Sequence, residues 1–397
     1  MRSIPPLATL LASVLTLAAA TLWSGAAPAQ TTLAQASPSV AKRMNPPPPP
    51  AGSDQSRLSA LTEQLNQNTV TVVSGNTNGT YLYLAYDMSA VLDDGTQLRI
   101  LPVIGKGGYQ NMIDLLHLRG IDLAITQSNI MTYLKRTGEM GPNIDQRVAY
   151  IAKLYNEEMH VLAGQGIKRI QDLAGKKVNF SDVGSGTQFS TRLIFDLLGI
   201  KCQEVNVGQA DGYQMVKSGE IAATILIAGK PTGAFSKFKL ESGMTLLPVP
   251  YVEALETDYF PAKLTSEDYP NLIEKGQSIE TVAVGAVLAA YNWPKDTDRY
   301  RRVAQFTETF FNRFADFQRL PRHVKWRETN LSASLRNWKR FPAAEEWLAR
   351  PPKATAVVID PGIVRAQAAK VAPNDPAMQE KLFRDFMEWH KAQQQKR

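Results

Sequence analysis

The sequence predicts a two-lobed α/β protein, and three observations carry that expectation. The chain has 397 residues, 44% of them hydrophobic and 20% charged, enough for two cores of ordinary domain size. From residue 69 onward, short β-rich runs alternate with helix-period segments, the pattern of parallel sheets covered by helices on both faces. That alternation comes as two series, 69–154 and 177–247, separated by a break.

Taken in order, Thr69–Ser74 reads as a strand, residues 75–79 as a turn rich in Gly and Asn, and Thr80–Leu92 as a helix. Leu98–Val103 is a second strand, followed by Gly105-Lys106-Gly107-Gly108 and a helix over Tyr109–Leu118. Ile121–Thr126 is a third strand, with a helix from Ser128, and Val148–Leu154 is a fourth. The second series has strands at Lys177–Ser181, Glu204–Val207 and Ile221–Ile227, with helices ending at Leu198 and spanning Ala210–Ser218. A late β-rich run, Thr281–Ala290, is placed to carry the chain back to the first lobe. The helix expected at Tyr300–Phe317 sets Phe306, Phe310, Phe314 and Phe317 at helical spacing, which marks a core face. These elements divide the chain into lobe one at 68–163 plus 283–350 and lobe two at 164–282, with hinges near Ala163 and Val282.

The ends of the chain read differently. Arg2 is the only charge before position 42, an apolar run extends from Leu7 to Trp23, and Ala27-Pro28-Ala29 resembles a cleavage site. Residues 1–29 therefore read as a secretory signal peptide cut after Ala29, which places the mature protein in the periplasm. Residues 30–66, with five consecutive prolines at 46–50, read as a disordered spacer. Residues 351–397 form a C-terminal extension. In it, Met378, Leu382, Phe386 and Trp389 mark one face of a helix near 377–394. From residue 299 to the end there are 20 basic and 10 acidic side chains, so the excess positive charge of the chain sits in its last quarter. For an exported protein this suits an acidic partner or a membrane surface better than nucleic acid.

Much chemistry is excluded by composition. One cysteine, Cys202, rules out an internal disulfide and Cys-based metal sites. The four histidines, at 117, 160, 323 and 390, include no i, i+4 pair for a zinc motif. Residues 105–110 miss the third glycine of a dinucleotide loop, and no phosphate-binding GxxxxGK[ST] loop occurs. Ser185 lacks the first glycine of GxSxG. Ser236-Lys237-Phe238-Lys239 matches SxxK without a following SDN or KTG. An exported serine acyl-enzyme is thus the rival to a binding protein. What remains is a set of loops rich in Gly, Ser, Thr, Asn and Gln at the carboxyl ends of strands. Such loops offer backbone N–H groups and helix N-termini to an anion. No metal or cofactor is expected, and the balance favours binding over catalysis.

Five ordered pieces resemble the TAXI-type receptors of TRAP transporters. They are Val72–Tyr81, Gly107–Asn111 with Arg119-Gly120, Ile121–Ser128, Val183–Gln188, and Ala222–Thr224 through Ala228–Gly233. The resemblance covers 69–348. It implies a type II periplasmic-binding fold, two α/β lobes closing on a small solute, and delivery of that solute to a TRAP-type membrane permease. Carried over by position, Asn78, Thr80 and Tyr81, the Gln127-Ser128 turn, Ser185, Gly186, Thr187 and Gln188, and Gly229, Lys230 and Pro231 line the cleft. Family members favour glutamate-like or other carboxylate solutes. Lys106 and Lys230, the basic residues of these loops, are the natural carboxylate partners. Ser74, Asn76, Tyr109 and Lys230 depart from the family pattern; Tyr109 stands near the position of a small hydroxyl residue and belongs to the same candidate wall. A receptor that signals to a membrane kinase fits the same residues.

Overall fold

The structure is a computed structural model that describes residues 53–77, 79–351, 360–373 and 375–395. The signal peptide, the proline run and Asn78 lie outside the described residues. Helix α1 (Ser53–Asn68) leads into β1 (Thr69–Val73), α2 (Thr80–Leu92), β2 (Arg99–Val103), α3 (Gly108–His117), β3 (Leu123–Gln127) and α4 (Ser128–Thr137). A single turn, α5 (Ile144–Arg147), precedes the long strand β4 (Val148–Ala163). The second series is β5 (Lys177–Asn179), α6 (Gly186–Leu197), β6 (Gln203–Val205), α7 (Gln209–Ser218), β7 (Ala223–Ala228) and the turn α8 (Gly233–Ser236). Short strands β8 (Thr245–Leu246) and β9 (Phe260–Thr265) come before a second long strand, β10 (Ser278–Tyr291). Helices α9 (Asp298–Asn312), α10 (Phe314–Phe317) and α11 (Pro342–Leu348) follow. Helices α12 (Pro361–Val371) and α13 (Pro376–Gln395) come last. No described helix is long and apolar enough to cross a membrane.

The strand order is β2-β1-β3-β10-β4-β7-β5-β6, with β8 on β4 and β9 on β10. β1 is parallel to β2 and β3, and β5 is parallel to β6 and β7. The two long strands are antiparallel to each other and belong to both halves. β10 pairs through Ala286–Ala290 with β3 and through Ser278–Ala283 with β9. β4 pairs through Glu158–Ala163 with β7. One continuous sheet thus runs through both halves, each half has its own helices, and the two long strands join them. This is the type II periplasmic-binding arrangement, two α/β lobes with a cleft between.

The cores divide in the same way. Apolar faces of β1, α2, β3, α9 and α11 meet in one cluster of the first half, and α3 and α4 close the other face. In the second half, Val178, Ile194, Ile225 and Tyr259 share one cluster, and Leu226, Phe235 and Tyr269 another. Phe306, Phe310 and Phe317 are buried in the first cluster with Phe314 packed against it, so the helical aromatic face is core.

Three segments differ from the sequence reading. The spacer expected to run to residue 66 is helical from Ser53, because Leu58, Leu61 and Leu65 fall on one face among good helix formers. Its end is held by Arg301, whose Nη2 donates to the Gln67 carbonyl at 2.6 Å. The fourth strand continues nine residues past Leu154, as its second part finds β7. Ala163, expected at a hinge, pairs instead with Ala223 and Thr245 inside the second half. The C-terminal helix packs on α12, an element the sequence reading lacked. Arg365 of α12 stacks over Phe383 and pairs with Glu380 at 3.3 Å. Phe386 and Trp389 stay exposed.

Candidate functional site

The loops at the carboxyl ends of the strands meet where the two halves face each other, and they line a small cavity of about 40 Å³ that is open to solvent. Its wall draws on both halves. The loop after β1 brings Thr80 and Tyr81, and the loop after β2 brings Lys106, Gly107 and Gly108. Gln127 ends β3, and the loop after β5 brings Ser185, Gly186 and Thr187. The floor is Glu157, in the middle of β4.

Each wall residue has a local reason for its place. Ser185 is the N-cap of α6, its Oγ accepting from the Gln188 N–H at 3.0 Å. Thr187 Oγ1 accepts from the Ile227 N–H at 3.0 Å, which fixes the first turn of α6 to the end of β7. Asn111 of α3 holds the loops around it: its Nδ2 donates to the carbonyls of Ser74 and Ile125, and its Oδ1 accepts from the Gly107 N–H. α2, α3 and α6 all begin at the cavity, so three helix N-termini direct partial positive charge toward it.

Glu157 is 2% exposed and receives three donors. Tyr81 Oη donates to Oε2 at 3.0 Å, Gln127 Nε2 to Oε2 at 2.6 Å, and Tyr155 Oη to Oε1 at 3.1 Å. Burial raises its pKa to about 7, against the lowering effect of these donors. The same burial holds the Tyr81 and Tyr155 hydroxyls well above the ordinary tyrosine range, so both remain donors. Gln127 is itself oriented from the second half. Ser190 Oγ of α6 donates to Gln127 Oε1 at 2.7 Å and accepts from Asn129 Nδ2 at 2.8 Å. Asn129 Nδ2 also reaches Tyr259 Oη at 2.8 Å.

The next residue, Glu158, is engaged elsewhere. It pairs with the fully buried Lys325 at 2.9 Å and accepts from the Lys230 N–H at 2.9 Å. Lys325 also pairs with Glu328 at 2.8 Å.

Seven of the fourteen residues expected to form the site line this cavity: Thr80, Tyr81, Lys106, Gln127, Ser185, Gly186 and Thr187. Tyr81 is both core and wall, packing in the first cluster while its hydroxyl reaches Glu157. Tyr109 and Gln188 line a different, open groove of about 760 Å³. Tyr109 stacks on Phe189 there and donates to Glu139; Gln188 donates to Glu204 at 2.6 Å. Ser128 opens α4, and its carbonyl accepts from Thr132. Gly229 touches the site only through its carbonyl, which accepts from Thr80 Oγ1 at 3.4 Å.

Lys230 and Pro231 stand outside the wall. The Lys230 ammonium pairs with Asp268 at 2.8 Å and donates to the Lys263 carbonyl at 2.7 Å, so it is engaged away from the cavity. The principal residue missed is Glu157. Its signal is two adjacent carboxylates inside an apolar run, Tyr155-Asn156-Glu157-Glu158-Met159-His160-Val161. Ending the fourth strand at Leu154 hid it.

Neither serine has the surroundings of a nucleophile. Ser185 is engaged as a cap, no histidine lines the cavity, and Ser236 is exposed at the end of α8. His160 is held between the Leu226 carbonyl and Tyr269 Oη, and burial lowers its pKa to about 4.

Among solved structures, the alkanesulfonate-binding protein SsuA from Xanthomonas axonopodis pv. citri is 12% identical, over 80% of this chain and 83% of that one, with a TM-score of 0.39. A protein from Bordetella bronchiseptica RB50 is 15% identical over 80% and 98%, with a TM-score of 0.44. The substrate-binding protein of an amino acid ABC transporter is 11% identical over 62% and 93%, with a TM-score of 0.37. A family model matches residues 72–337, which takes in both halves of the sheet and every residue of the cavity wall; the chain belongs to the NMT1-like family.

Proposed function

We propose that the chain is an extracytoplasmic solute receptor: it captures a small carboxylate-bearing solute between its two lobes and delivers it to a TRAP-type membrane permease. The observation that carries this reading is the cavity itself, placed where both halves meet and built from strand-end loops of each. Three helix N-termini and Lys106 supply the positive side of the site, which suits a carboxylate. The hinge is proposed at Asn156–Glu158 of β4 and Ala283–Ala286 of β10, where both long strands change partners. An N-terminal signal cut after Ala29 and a periplasmic location belong to the same proposal. Thermal-shift measurement of the purified chain against amino acids, organic acids, sugars and cations tests it. A solute that binds only the folded state raises Tm through linkage. The expected result is a shift with at least one carboxylate. Shifts with sugars or cations alone refute the carboxylate, and a silent panel refutes the receptor.

A further inference from the structure

We infer that Glu157 receives a protonated amine of the bound solute, so that the cavity takes a compact zwitterion with its cationic nitrogen on Glu157 and its anionic end on the loops opening α2, α3 and α6. This rests on the receptor reading and deepens it.

The first argument is a count of lone pairs. An ionised carboxylate accepts about four hydrogen bonds, two at each oxygen. Among the described residues, Glu157 Oε2 accepts from Tyr81 and Gln127, whereas Oε1 accepts from Tyr155 alone. One acceptor position therefore stays open on an oxygen of a residue that lines the cavity.

The second argument is charge. Among the described residues Glu157 has no ion-pair partner; Lys106 lines the same cavity but makes no ion pair with it. Lys325 is shared between Glu158 and Glu328, and Lys230 is paired with Asp268. A buried carboxylate without a cation is unfavourable, and a cation brought by the solute removes that cost in the bound state.

The third argument is orientation. The Gln127 amide is held with its nitrogen toward Glu157 while Ser190 donates to Gln127 Oε1 and accepts from Asn129. The group facing Glu157 from β3 is thus fixed as a donor, and the arrangement is built around an acceptor carboxylate. Ser190 sits in the second half and Gln127 in the first, so this orientation is completed only when the halves meet.

Isothermal titration of the full chain with the twenty standard amino acids, each beside its 2-hydroxy and deamino analogues, tests the inference. The expected result is that at least one amino acid binds, and that its amine-free analogues bind 100-fold or more weakly. Glu157→Gln should weaken the amino acid by a similar factor, with circular dichroism melting showing the variant folded. If an amine-free acid binds as tightly as its amino counterpart, Glu157 does not read an amine and the inference falls, while the receptor reading stands. The comparison within the wild type decides this even if the variant fails to fold. If no member of any set binds, the carboxylate-receptor reading falls and takes this inference with it.

Discussion

Gly108 and Gly186 meet across the two halves with no room for a side chain on either. A Cβ on Gly108 would stand 2.7 Å from the Gly186 amide nitrogen, and a Cβ on Gly186 would stand 2.8 Å from the Gln127 carboxamide. Gly108 also has φ +33°, which disfavours any L side chain. Beside this contact, the Gln110 N–H donates to the Gly184 carbonyl at 3.0 Å, and Asn76 Nδ2 to Asp182 at 2.5 Å. The two halves are therefore joined here by both backbone and side-chain contacts.

Gly108→Ala should fail to close, because its Cβ would meet the Gly186 backbone; it would also stand 2.9 Å from the buried Ile130, so circular dichroism must first show the variant folded. Small-angle scattering should report a larger radius of gyration than the wild type, and Tm should fall by an amount equivalent to about 1–2 kcal/mol. An unchanged radius would show that the loops give way instead.

Glu157→Gln should stabilise the ligand-free protein, and more so as pH rises. In the folded chain the Glu157 carboxyl titrates at about 7 against an ordinary 4.5, so the folded state holds the extra proton between those values. Stability from this group is present below about 4.5 and is lost as pH rises to 7. His160 acts in the opposite sense: its pKa near 4 means that stability rises with pH from there to about 6.5. The two largely offset each other over the shared range, so the readout is the difference between variant and wild type. Urea unfolding should show a gain on the order of 2–4 kcal/mol at pH 8 and little at pH 4.5.

Lys325→Ala should be among the most destabilising single changes. It leaves Glu158 buried without its cation at 2.9 Å, and removing one partner of a buried pair costs about 3–5 kcal/mol. Adding Glu158→Gln should recover a large share of that loss in denaturant melts. No recovery would mean that Lys325 acts through packing on Tyr155 instead.

Ser190→Ala should release the Gln127 amide. The loss of two buried hydrogen bonds, with Asn129 and with Gln127, should cost about 1–3 kcal/mol. Exchange protection of the α6 amides should fall with it, as seen by hydrogen exchange.

Deleting residues 351–397 should leave solute binding intact, because the cavity wall ends at Ala228 and α13 packs on α12 through Arg365 with Phe383 and Glu380. A truncated chain that folds but loses its ligand would place the cleft elsewhere.

Periodicity and loop composition alone determined most of the elements of both halves. Apolar positions of Thr80–Leu92 recur at helical spacing, and that helix spans the expected residues. The cap at Ser185 follows from a Ser placed before a helix-period run. Seven wall residues were legible because Gly, Ser, Thr and Gln at strand ends have little reason to be there except to turn the chain or bind something. Local pattern could not tell how far the fourth strand runs, since its second part is a strand only because β7 and β10 pair with it. That pairing places Glu157 at the crossing of the two halves, and burial there makes its carboxyl unusual. It also places the Lys230 ammonium on Asp268 rather than on the cavity. Both outcomes depend on residues distant in sequence meeting in space, and no single stretch of the chain encodes them.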